Sequence, residues 1–167
     1  MANIIIIGMR GVGKTTIGRL LSERLQKKWI DIDEEIVRRE GKTIPEMVEL
    51  HGWDFFRQKE HEEVMRLVEQ ENLVISTGGG VLMYFNNSEL LKASGKLVLL
   101  TAESSTLAQR LRESHQRPSL SGKDPLQEID EIWEQRRDLY LKCADMVVDT
   151  EHWDDQRIVD EILTKLL

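Results

Sequence analysis

Ile4-Ile5-Ile6-Ile7-Gly8-Met9-Arg10-Gly11-Val12-Gly13-Lys14-Thr15-Thr16 decides the fold. Four β-branched residues in a row read as a strand buried on both faces. The next eight residues match G-x-x-x-x-G-K-[ST], and behind them Ile17, Leu20, Leu21 and Leu25 recur at helical spacing. A glycine-rich turn that opens onto a helix N-terminus presents several backbone N–H groups and the positive end of the helix dipole, so it attracts phosphate. Gly11, Val12, Gly13, Lys14, Thr15 and Thr16 are therefore expected to bind a nucleotide. Lys14 would reach the β- and γ-phosphates, and the Thr15 hydroxyl would face Mg²⁺.

Outward from this stretch the pattern alternates strand and helix. Strands are expected at residues 29–33, 73–76, 96–101 and 146–149. Helices are expected at 14–27, 33–40, 43–51, 53–71, 87–93, 104–113, 126–142 and 155–166. Such alternation implies an α/β fold with a parallel sheet covered on both faces, its ligands beyond the carboxyl ends of the strands. The phosphate loop, Asp31 with Asp33, Gly78-Gly79-Gly80, and the chain from Thr101 onward all fall on that rim.

A chain of 167 residues is one domain by length. The net charge of −7 and the lack of a long basic run disfavour a nucleic-acid surface. One cysteine, Cys143, rules out an internal disulfide and fits a reducing compartment. The opening Met1–Ile7 has no basic region, and no segment has the length and apolarity of a membrane span. The expected location is the cytoplasm, and a monomer is the default. The four histidines show no metal-ligand spacing with cysteine.

Several side chains on the rim carry two readings. Asp31 and Asp33, two apart on a strand, would point the same way and serve a cation or a substrate hydroxyl; alternatively Asp33 caps the helix that follows. Arg136 falls within the apolar stripe Ile129, Ile132, Leu139, Cys143, where a guanidinium must find an anion. That anion is either a carboxylate of the domain or one belonging to a ligand. Arg57 and Glu60, three apart on a helix, form a structural pair or a carboxylate holding an arginine ready. Gly78-Gly79-Gly80 is a flexible turn or a backbone that something must approach closely. The segment from Arg110 to Lys123 is locally basic and residues 114–125 break all periodicity; the stretch reads as a solvated loop or as a lid that brings Arg117 to a transferring group.

Taken together, Gly8–Thr16, Asp31-Ile-Asp33, Phe56-Arg57 with Glu60, Gly78–Gly80, Arg117-Pro118-Ser119-Leu120, and Arg136 with Leu139-Tyr140 resemble the shikimate kinase family of P-loop, nucleoside-monophosphate-kinase-like folds. The resemblance covers nearly the whole chain. It implies a three-layer α/β/α domain with a five-stranded parallel sheet in the order 2-3-1-4-5, a substrate-binding helical segment at about 33–61, and a lid at about 112–124. It also implies ATP-dependent phosphorylation of the 3-hydroxyl of shikimate. Its roles would be a carboxylate clamp from Arg57 and Arg136, and ring contacts from Gly79 and Gly80 beside Gly78. Asp33 would orient or deprotonate the nucleophile. Mg²⁺ would be held by Thr15 directly and Asp31 through water. Lys14 and Arg117 would neutralise charge, and Arg110 would stack on adenine. The chain departs from the family pattern at Val48, where a bulkier aromatic is usual, at Glu151–Asp154, where a proline is usual near the adenine, and in details of the lid. A gluconate-type kinase and a non-catalytic ligand-sensing module are the alternative readings.

Overall fold

The computed structural model describes residues 2–113, 122–152 and 154–166. Strand β1 (Asn3–Gly8) runs through the centre of the molecule and is buried along its whole length. It pairs in parallel with β3 (Leu73–Ser76) on one side and β4 (Gly95–Thr101) on the other. Strands β2 (Lys28–Asp31) and β5 (Met146–Asp149) close the two edges, which completes the expected five-stranded order β2-β3-β1-β4-β5. Chain order reverses about β1, so a crevice opens above its carboxyl end.

Helix α1 (Lys14–Leu25) packs against β1, β2 and β3 on one face of the sheet, where it meets α8 (Asp155–Leu166). Helices α4 (Trp53–Val68), α5 (Asn87–Ser94) and α7 (Pro125–Cys143) lie on the other, with α6 (Ser104–Glu113) against α7. Short helices α2 (Ile32–Glu40) and α3 (Ile44–His51) join β2 to α4 and pack on α4. The core is the sheet's aliphatic residues, the Ile17 and Leu21 stripe of α1, and Phe56, Val64 and Leu67 of α4.

One boundary differs from expectation in a way that matters for the site. Strand β2 ends at Asp31 instead of running to residue 33. The Asp31 carboxylate accepts the Glu34 N–H at 3.1 Å, so Asp31 is the residue that caps α2, and Asp33 lies in that helix's first turn. The two carboxylates thus do not share one face of a strand, although both still line the crevice.

Candidate active site

The crevice is a cavity of about 930 Å³. Its floor is the loop between β1 and α1. Gly13 takes a left-handed conformation (φ 107°) that lets the chain turn directly into the helix, leaving the first N–H groups of α1 toward the cavity. Lys14 is buried, and its ammonium donates to the carbonyls of Gly8 and Met9, each at 2.8 Å. The base of the loop is fastened to the sheet by Ser76, whose hydroxyl donates to the Lys14 carbonyl (2.8 Å) and accepts from the Trp29 indole (3.1 Å). Thr77 reinforces the same join by donating to the Ile6 carbonyl through both its backbone N–H and its hydroxyl.

Thr15 and Asp31 meet at the loop's edge, the hydroxyl donating to the carboxylate at 2.7 Å. Burial pushes the Asp31 carboxyl above its ordinary range and the Asp33 charge acts in the same direction; the hydrogen bonds from Thr15 and Glu34 pull it partly back. Two carboxylates beside a hydroxyl form an oxygen donor set suited to a hard cation. Among the described residues no group of three or more His, Cys, Asp or Glu is placed to hold a metal ion.

The cavity is also lined by Arg110, Leu111, Thr150, Asp155 and Ile158. Arg110 donates to the Gly11 carbonyl at 2.7 Å, so it leans on the phosphate loop itself. The departure at Glu151 is accommodated by a tie. Its carboxylate accepts from the Glu103 N–H (2.9 Å) and the Thr106 hydroxyl (2.5 Å), fastening the segment after β5 to the start of α6.

The triple glycine lies where two arginines converge. A Cβ on Gly80 would stand 2.7 Å from both terminal nitrogens of Arg57, and one on Gly79 would stand 3.1 Å from Arg136 Nη1. None of Gly78, Gly79 and Gly80 has positive φ, so the glycines at 79 and 80 supply room for guanidinium groups rather than a special backbone. Arg57 is buried and donates to Glu60, itself buried, at 3.0 Å, so the two form the i,i+3 pair that the helix spacing offers. Arg136 is 6% exposed and makes no ion pair among the described residues, against the reading of a structural pair with the domain's own carboxylate. Arg57, Gly80 and Arg136 stand just beyond the cavity's lining, which ends on that side at Thr77, Gly78 and Gly79.

Sequence reasoning missed Arg10 and Glu128. Arg10 lines the cavity from within the phosphate loop and donates to Glu128 at 2.7 Å, joining the loop to the first turn of α7. The partners are 118 residues apart, so no local spacing announces them. Tyr140, four residues after Arg136, donates its hydroxyl to the Gly79 carbonyl and fixes α7 against the glycine turn. Arg117 lies outside the described residues, with the rest of segment 114–121 of the expected lid.

The sequence model of a family described as "SKI: Shikimate kinase" matches residues 10–167. A shikimate kinase from Sulfurihydrogenibium sp. (strain YO3AOP1) is 37% identical over 166 residues, spanning 99% of this chain and 98% of its own. The structure of a shikimate kinase from Acinetobacter baumannii in complex with shikimate superposes with a TM-score of 0.95 at 33% identity, covering 99% of this chain and 93% of that one. A gluconokinase from Sinorhizobium meliloti 1021 covers 99% of this chain and 91% of its own at a TM-score of 0.55 and 19% identity, a likeness that carries the fold alone.

Proposed function

The chain belongs to the shikimate kinase family, and on that premise we infer that the crevice transfers the γ-phosphoryl group of ATP to the 3-hydroxyl of shikimate. The protein is an ATP-dependent phosphotransferase with an alcohol acceptor. The observation that carries the site assignment is the meeting of two buried arginines at Gly79 and Gly80, at the end of a cavity that also holds the phosphate loop and Asp33.

The roles follow from the chemistry. Phosphoryl transfer asks for positioning and charge stabilisation more than for covalent work by the protein. The N–H groups of Gly11 to Thr16 and the Lys14 ammonium hold the phosphates. Arg57 and Arg136 clamp the shikimate carboxylate, whose planar pair of oxygens matches a guanidinium fork. Gly78, Gly79 and Gly80 border the ring, and Asp33 orients the attacking hydroxyl and accepts its proton or hydrogen bond. Arg110 sits at the base-binding end. Arg117, from the lid segment at about 112–124, adds positive charge at the transferring group. The helical segment at about 33–61 supplies the acceptor wall within one kinase domain.

Mg²⁺ fits the Thr15 and Asp31 oxygens, Thr15 as a direct ligand and Asp31 through water. When bound it neutralises charge on the phosphate oxygens. A monomer in the cytoplasm is the proposed setting. The single cysteine fits a reducing compartment.

The test is ADP release with ATP and Mg²⁺ against shikimate, quinate and gluconate. Turnover is expected with shikimate, falling about 10²-fold or more in Asp33→Asn with the fold retained. Turnover with gluconate alone would move the assignment to a gluconate-type kinase. Binding of nucleotide and shikimate without turnover would make the chain a sensor.

A further inference from the structure

Tyr84 belongs to none of the motifs on which the family resemblance rests, yet it touches the acceptor half of the site. It follows a short 3-10 turn (Val81–Met83) directly after the glycines. The Arg57 guanidinium carbon lies 4.4 Å from the centre of its ring, closer than to Trp53 (5.4 Å) or Phe56 (5.5 Å). Backbone at Gly80 crowds the same guanidinium, and Glu60 takes one hydrogen from Nη1. Arg57 Nε is buried and has no hydrogen-bond partner among the described residues. The group is thus gripped by a ring, a carboxylate and a glycine backbone, with donors left over.

Tyr84 is itself held. The next residue, Phe85, adopts φ 53°, a conformation unfavourable for a bulky side chain. Its ring stacks on His61 with centroids 4.5 Å apart and planes 21° from parallel. His61 Nδ1 lies 2.6 Å from Asn87 Oδ1, and the fully buried Asn87 donates its amide to the Val81 carbonyl at 2.9 Å. Segment 81–87 is therefore anchored to α4, the helix that carries Arg57 and Glu60.

We propose that Tyr84 is a positioning residue for Arg57: its ring fixes the guanidinium in the orientation that receives the carboxylate, and thereby sets affinity for shikimate. This rests on Arg57 being part of the carboxylate clamp. An arginine oriented beforehand loses less rotamer freedom on binding, and the attraction of a cation to an aromatic face does that work without consuming its N–H donors.

Steady-state kinetics of Tyr84→Leu, Tyr84→Phe and Arg57→Ala, with shikimate and ATP varied separately, test it. Tyr84 is 37% exposed, and melting temperatures check that the variants fold. Tyr84→Leu is expected to raise KM for shikimate about three- to tenfold, with kcat and KM for ATP held within about twofold. Tyr84→Phe should keep wild-type values, because the ring and not the hydroxyl acts. Arg57→Ala should raise KM for shikimate further, and Tyr84→Leu should add nothing in that background. If Arg57→Ala raises KM for shikimate while Tyr84→Leu does not, Tyr84 has no such role. An effect of Tyr84→Leu that spreads equally to ATP, or that Tyr84→Phe reproduces, overturns the proposal as well. An unchanged KM in Arg57→Ala removes the clamp beneath it.

Discussion

Asp31 shows how one side chain serves structure and chemistry at a cost to stability. It caps α2, accepts the Thr15 hydroxyl, and is half of a close pair of carboxylates. Its folded pKa is raised above the ordinary value of 3.8 by burial first and by Asp33 second. The native state therefore binds more protons than the unfolded chain between the unfolded and folded pKa values. Stability is full below that window and falls as pH rises through it, so ionised Asp31 is a net burden near neutrality. Asp31→Asn is expected to raise Tm at pH 7, by about 2–4 °C for each kcal/mol relieved, and the gain should vanish on acidification toward pH ~4. Activity should fall in the same variant. Calorimetry at the two pH values checks this; a lower Tm at pH 7 would mean that the Thr15 and Glu34 hydrogen bonds outweigh burial. That Asp31 rather than Asp33 caps the helix was not legible in sequence. Either residue has the chemistry, and the choice depends on where β2 stops pairing with β3.

At the scale of elements, the phosphate loop is placed by how closely α1 lies on the sheet. Gly18, in the middle of α1, is the point of contact. A Cβ there would come within 2.1 Å of Ser76 Oγ and 2.9 Å of Trp29 Nε1. These two atoms hydrogen-bond each other, and Ser76 also donates to Lys14 at the head of the helix. In an exposed helix Gly→Ala stabilises by about 0.5–1 kcal/mol. Here Gly18→Ala should instead destabilise by roughly 1–3 kcal/mol through overpacking, lowering Tm and weakening nucleotide binding because the start of α1 must shift. Chemical denaturation with nucleotide titration checks both; an unchanged or raised stability would mean that α1 can move away from Ser76 at little cost. The strand-helix alternation and most element boundaries were readable from hydrophobic period. The close approach at Gly18 was not, because a glycine inside a helix pattern reads first as a mild defect.

At the scale of the whole molecule, residues from α1, α2, the start of α3, the turn after β3, α6 and α8 line one crevice, and Arg57 of α4 and Arg136 of α7 meet the glycine turn at its edge. Binding there should stabilise the entire domain. A ligand at one hundred times its Kd adds about 2.7 kcal/mol, equivalent to a Tm rise of about 5–10 °C for a domain of this size. Shikimate and an ATP analogue with Mg²⁺ should each produce such a shift in a thermal melt. Arg136→Ala should abolish the shikimate shift and keep the nucleotide shift; loss of both would make Arg136 a structural residue. By itself the sequence determined the phosphate loop, the layered α/β architecture and which residues are candidates for the site, because these follow from local spacing and the short-range preferences of glycine, branched and charged side chains. Only the tertiary structure decided what each candidate faces: that Glu60 holds Arg57, that Gly79 and Gly80 make room for two arginines, that Arg10 pairs with Glu128, and that Arg136 has no carboxylate of the described domain to neutralise it. Those relations join groups up to 118 residues apart, and burial makes each of them matter by removing the water that would otherwise satisfy the charge.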